Sequence, residues 1–140
     1  MEVRVIDHQE YDFADLIVGG IATLDIGGII DTSGHRSALL AFKVHEADIV
    51  GGSGTDAMVD VSLDAVWPDA GERSRRFRDS TVLTYAEFTS GSSAPWYGRS
   101  GAVTDTLGPA VSVSLKATQK GTTAATVFRV KLSVSLILLD

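Results

Sequence analysis

Cysteine is absent from this chain of 140 residues, proline occurs three times, and aromatic residues make up 7%. Without cysteine, neither disulfides nor thiolate metal sites hold the fold, and the compartment is left open. A membrane helix needs about 20 mostly apolar residues. The most apolar stretch, "AATVFRVKLSVSLILLD" at 124–140, is interrupted by Arg129 and Lys131. The opening "MEVRVIDHQEYDF" is too acidic and too interrupted for a signal peptide, so synthesis without Sec export is expected. Helix signals are nearly missing, as are repeats, linkers and low-complexity tracts. There is no glycine-rich phosphate loop ahead of a helix and no carboxylate pair placed for acid–base work. The chain therefore reads as a non-enzymatic protein with no cofactor and no membrane span.

The charge is −6 overall but unevenly spread. Residues 1–72 hold 14 acids against 3 bases, a balance of −11, whereas residues 73–140 hold 4 acids against 9 bases, a balance of +5. An acidic total argues against a dedicated nucleic-acid binder, which is usually basic. The asymmetry points weakly to head-to-tail contacts between copies.

Alternation with a period of two runs through most of the chain. In the final stretch Phe128, Val130, Leu132, Val134, Leu136 and Leu138 fall on one side, against Arg129, Lys131, Ser133 and Ser135. Side chains alternate faces along a strand, so this is a core strand of about ten residues, central in its sheet. "SALLAFKVHEA", "DAMVDVSLDAV", "TVLTYAEF" and "PAVSVSLKAT" read the same way, and "VRVI", "ATLDIGG" and "RSGAVTD" do so less strongly. "YDFADLIVGG" suits a turn or a strand equally. "DIVGGSGTD" reads as a strand connection, and "KGTTAA" reads as a hairpin connection with Gly121 free to take positive φ. The expected architecture is a single all-β domain over 1–140, with residues 1–20 an arm or first strand. It is an antiparallel β-sandwich, jelly-roll-like, of about six to eight strands.

Several clusters invite a chemical reading. "DTSGH" at 31–35 gathers Asp, Ser and His, but a catalytic triad assembles in space around an oxyanion hole, so a turn built on Asp31, Ser33 and Gly34 is expected. His8, His35 and His45 show no metal-ligand spacing. His45 beside Glu46 and Asp48 would bind metal only with ligands from another strand. Asp60, Ser62 and Asp64 share one strand face, expected to be solvated rather than a calcium site. "GERSRRFRD" packs Arg73, Arg75, Arg76 and Arg78 into an expected loop. These arginines suit docking on an acidic surface or phosphate, or pairing with the protein's own carboxylates. Trp96 and Tyr97 lie in "GSSAPWYGRSG", where they suit a sugar platform, a protein anchor or a cap on the open end of the sandwich.

From about Ile30 to Leu138 the chain resembles small β-sandwich proteins encoded among the head and structural genes of tailed bacteriophages. The first matching segment is "DTSGHRSALLAFKVHEADIVGGSGTDAMVDVSLDAV". It is similar to stretches with a "V-D-V-S-G" lead-in, a long apolar strand, a Gly/Ser/Thr loop and a Val/Asp strand. The second is "LGPAVSVSLKATQKGTTAATVFRVKLSVSLIL". Leu107 and Gly108 match the family's Leu-Gly-Arg-Tyr lead-in, whereas Pro109 and Ala110 replace its Arg and aromatic. "KGTTAATVFRV" matches its turn and closing strand. The resemblance implies a virion component such as a capsid decoration (cement) protein, made in the host cytoplasm and placed on the capsid exterior. Its implied partners are the major capsid protein and copies of itself, trimers among them. A carbohydrate-binding module built on Trp96 and Tyr97, and a self-assembling tail or coat subunit, stay open as rivals.

Overall fold

The computed structural model describes residues 1–17, 20–51, 57–67, 72–84, 96–99, 103, 107–119 and 125–140. At 51, 67, 72–81, 83–84, 96–97 and 99 the description is of the backbone. Eight strands follow one another: β1 (Glu2–Asp12), β2 (Ile21–Asp31), β3 (Ser37–Gly51), β4 (Met58–Trp67), β5 (Glu72–Thr84), β6 (Trp96–Arg99), β7 (Ala110–Thr118) and β8 (Ala125–Leu139). They form two four-stranded antiparallel sheets with orders β1-β8-β3-β6 and β2-β7-β4-β5. No helix lies among the described residues.

Alternation explains the core between the sheets. Val130, Leu132, Val134 and Leu136 of β8 are fully buried, as expected. Leu40 and Val44 of β3 face them within the same sheet, and Val59, Val61, Leu63, Val113 and Leu115 line the opposing one. β8 lies between β1 and β3, central as its composition required, and runs to 15 residues rather than ten. The "VRVI" and "ATLDIGG" segments lie in full strands. "YDFADLIVGG" ends β1 and then turns, with Asp12 Oδ1 accepting from Ala14 N–H and Phe128 N–H. Of "RSGAVTD", Val103 makes an isolated bridge to Ala38. "TVLTYAEF" carries the end of β5, and 85–88 lie outside the described residues.

Several expectations need correction. "KGTTAA" is not a hairpin connection, because β7 and β8 belong to different sheets; residues 120–124 themselves lie outside the described ones. Short polar loops between alternating strands look alike whether the chain folds back or crosses the core. Among the described strands, β4 and β5 are the only consecutive pair that is hydrogen-bonded. The arginine segment is not a loop: Arg73, Arg75, Arg76 and Arg78 lie on β5, paired along β4, with Arg76 opposite Asp64 and Arg78 opposite Leu63. Nor is the Asp60–Asp64 face solvated. Asp60, Ser62 and Asp64 are 9%, 1% and 2% exposed. β4 is flanked on both sides, by β7 and β5, and residues on those neighbours cover its outward face: Lys116 is opposite Asp60, Ser114 opposite Ser62 and Ser112 opposite Asp64. Period two identifies faces, but whether the outward face is wet depends on what stands beside it.

Candidate functional site: the outer face of the first sheet

The sequence-derived candidates are scattered. "DTSGH" is a turn, as read: Asp31 Oδ1 accepts from Ser33 N–H at 2.8 Å, Thr32 Oγ1 donates to the Gly108 carbonyl at 2.9 Å, and Gly34 sits at φ +85°. Trp96 and Tyr97 lie on β6, not in a loop, with backbones opposite Val44 and Lys43. Their side chains, and those of Arg73, Arg75, Arg76 and Arg78, lie outside the described ones. The arginines are on β5, at the edge of the second sheet, while Trp96 and Tyr97 are on β6, in the first.

What the fold does bring together is a pair of histidines 37 positions apart in sequence. The strands flanking β8 are both bulged at nearly the same level. On β1 the register passes from Ile6↔Val134 to Gln9↔Leu132, so three residues span what β8 covers in two. On β3 it passes from Val44↔Leu132 to Glu46↔Lys131, with His45 the extra residue. A bulge bends its strand and re-aims a side chain. Here the two bulges turn His8 and His45 onto each other across β8, with ring centroids 3.8 Å apart and planes 17° from parallel. His8 holds φ +48°, the only positive φ outside glycine among the described residues. L-residues other than Gly, Asn and Asp adopt this region reluctantly.

Ser133 of β8 sits beneath the pair. Its Oγ–H donates to Asp7 Oδ1 at 3.2 Å, and its Oγ accepts from the His8 backbone N–H at 2.9 Å. His45 Nε2 lies 2.9 Å from the same Oγ, and donates to it when the Ser133 hydroxyl points to Asp7. Asp7 Oδ1 also accepts from His8 Nδ1 at 2.8 Å and from Arg4 at 3.2 Å. The His8 hydrogen bond is the main reason the Asp7 carboxyl titrates below its ordinary range. His45 titrates below the ordinary imidazole value, first through burial and then through the positive charges of His8, Lys43 and Lys131, against which Asp7 works.

An aspartate, a serine and two histidines thus share one network, in an order unlike that of a nucleophilic triad. In a nucleophilic triad the imidazole stands between hydroxyl and carboxylate. Here Ser133 stands between Asp7 and His45, and it is 6% exposed. No group of three or more His, Cys, Asp or Glu positioned for a metal occurs among the described residues.

The network closes one end of an open groove of about 670 Å³ on the outer face of β1, β8 and β3. Its floor is made of small residues, Ala41, Ser133 and Ser135. Glu2 and Arg4 line it from β1 and Lys43 from β3. At the β6 side Gly98 lies opposite Phe42, whose ring occupies the space a Cβ there would take. Sequence reading missed this groove because its residues come from four strands and because bulges leave no mark in a period-two pattern. The visible signal was the pair of serines on the outer side of β8.

No protein-family model matches the sequence, and no curated protein matches it. Solved structures do share the fold. A structure of infectious bursal disease virus, Gx strain, superposes with a TM-score of 0.63 at 12% identity, covering 99% of this chain and 30% of that one. The VP2 subviral particle of the same virus gives 0.59 at 11% identity, covering 100% and 32%. The chain therefore spans about a third of the viral chains it matches. A non-crystalline cellulose specific carbohydrate-binding module, CBM28, gives 0.50 at 12% identity, covering 94% and 73%. At such identities the likeness is one of fold: an eight-stranded sandwich with jelly-roll strand order.

Proposed function

We propose that this chain is a non-enzymatic virion structural protein: a capsid decoration or other head-associated protein of a tailed bacteriophage. In this reading it binds the shell exterior in many copies and is made in the host cytoplasm. The observation that carries the reading is the strand order β1-β8-β3-β6 over β2-β7-β4-β5. This is the double Greek key jelly roll, an architecture recurrent in viral shells and in lectins. The superposition on infectious bursal disease virus chains supports it, and the resemblance to phage head proteins narrows it. The major capsid protein and further copies of the chain itself are its partners. Repeated modest contacts then add up to tight adhesion.

The arginines of β5 are the proposed docking row. β5 is an edge strand of its sheet, where a line of cations discourages indiscriminate strand pairing while attracting an acidic neighbour. Co-sedimentation with undecorated capsids tests this. Wild type should occupy them at low salt and less at high salt, and Arg75→Glu with Arg76→Glu should lower occupancy with the melting temperature kept. No sedimentation of wild type at any salt would sink the virion reading. Unchanged occupancy of the double variant would remove β5 from the interface and turn attention to Trp96 and Tyr97.

A second reading, glycan binding, is favoured by one observation: the groove on the outer face of the first sheet, where charged and hydroxyl side chains line a largely apolar surface. The fold shared with the CBM28 module is compatible with it.

A further inference from the structure

We infer that the groove over β1, β8 and β3 is a binding site for an uncharged, hydroxyl-rich chain, a short segment of neutral polysaccharide; this rests on the second reading above. Its volume of about 670 Å³ lies in the range of small-ligand clefts, about 300–1,000 Å³. Its shape follows from residue size. Ala41, Ser133 and Ser135 keep the centre of the face low, while Arg4 and Lys43 rise from the strands on either side of β8.

The lining selects the ligand by charge. Arg4 is already held by Asp7 at 3.2 Å and approached by Glu2 at 3.7 Å. An anionic chain entering the groove would meet the Glu2 and Asp7 carboxylates, and a cationic one would meet Arg4 and Lys43. A hydroxyl both donates and accepts, so a polyol can satisfy guanidinium, ammonium, carboxylate and serine together without displacing their ion pairs. The stacked imidazoles of His8 and His45 give the groove a flat aromatic end, a surface suited to the apolar face of a sugar ring. Backbone strain points the same way. His8 keeps an αL conformation that costs free energy, in the bulge that sets its ring against His45, and such strain clusters at ligand sites. At the rim the register places Tyr97 opposite Lys43.

The test is amide-resolved NMR titration of the full chain. The probes are neutral hexasaccharides (β-glucan, α-glucan, mannan and xylan), with polygalacturonate and chitosan oligomers as anionic and cationic counterparts. At least one neutral chain should shift the amides of Arg4, Asp7, His8, Lys43, Ser133 and Ser135. Lys43→Ala, a change on an outward-facing side chain, should weaken that binding about tenfold, the loss expected for a charge-assisted hydrogen bond. Ser135→Trp, which fills the floor, should abolish it. Should Ser135→Trp fail to fold, the Lys43→Ala affinity decides. Shifts confined to other faces would overturn the groove assignment and leave glycan binding standing. Preference for polygalacturonate or chitosan would overturn the neutral class. Silence with every saccharide would remove the glycan reading and this inference together.

Discussion

His8 and His45 sit one on each side of β8, and each owes its position to one extra residue in its strand. At His8 the cost of positive φ should be visible in mutants. Asn tolerates the αL region, whereas a β-branched residue there is a steric outlier. His8→Val should therefore be less stable than His8→Asn by about 1–2 kcal/mol. Equal melting temperatures would mean that the bulge does not hold this conformation. For His45 the sign follows from its depressed titration, caused first by burial and then by neighbouring cations. The unfolded chain takes up a proton near the ordinary value of 6.5, while the folded chain resists until lower pH. Stability is thus fully present above about 6.5 and declines as pH falls toward the folded value. His8 and Asp7 of β1, Lys131 of β8 and Lys43 of β3 are the charged neighbours involved. Asp7 adds a separate, more acidic loss, below its usual 3.8. His45→Gln should flatten the melting-temperature profile just below pH 6.5 and leave the more acidic limb. A profile unchanged by the substitution would contradict the assignment.

Elements tell how far the amino-acid pattern reaches. β8 was legible because Val130, Leu132, Val134 and Leu136 alternate with Arg129, Lys131 and Ser133, and such a pattern has one satisfactory burial. Leu132→Ala should cost about 2–5 kcal/mol, since Leu132 is fully buried and the cavity would have packed walls. An unchanged urea midpoint would mean that the strand faces water. β5 was not legible: four arginines around Phe77 read as a loop because, on an edge strand, clustered charge replaces the apolar alternation that marks strands such as β8. β6 is four residues long, too short for a period to show. The Asp60–Ser62–Asp64 face was correctly seen as a face and wrongly seen as wet. The aspartates were read from β4 alone, while the cover comes from residues such as Lys116, Ser114 and Ser112 of β7, 48 to 56 positions away. The groove was invisible for a related reason. Its floor is defined by where Ser133 and Ser135 meet Ala41, which is a matter of register.

At the scale of the molecule the two sheets exchange the chain at almost every step. β1, β3, β6 and β8 make one, and β2, β4, β5 and β7 the other. Outward faces are therefore composite, and any working surface, whether the arginine row or the groove, draws on residues far apart in sequence. The placement of β8 has a consequence for kinetics. β1 finds its partner more than 115 positions later, Tyr11 pairing with Val130 and Glu2 with Ile137, and β3 pairs with the same strand along nearly its whole length. β1 has no other partner and β3 otherwise has only the short β6, so a nascent chain holding β1 to β7 would carry two long strands with an empty lane between them. Closing loops of that length before any contact is rewarded makes folding slow, on the order of milliseconds to seconds for sandwiches of this kind. Stopped-flow refolding should fall in that range, and complete recovery within microseconds would contradict the topology. Proteolytic loss of 125–139 would split the sheet down its middle, and a separately supplied peptide of those residues is the natural complement to restore it.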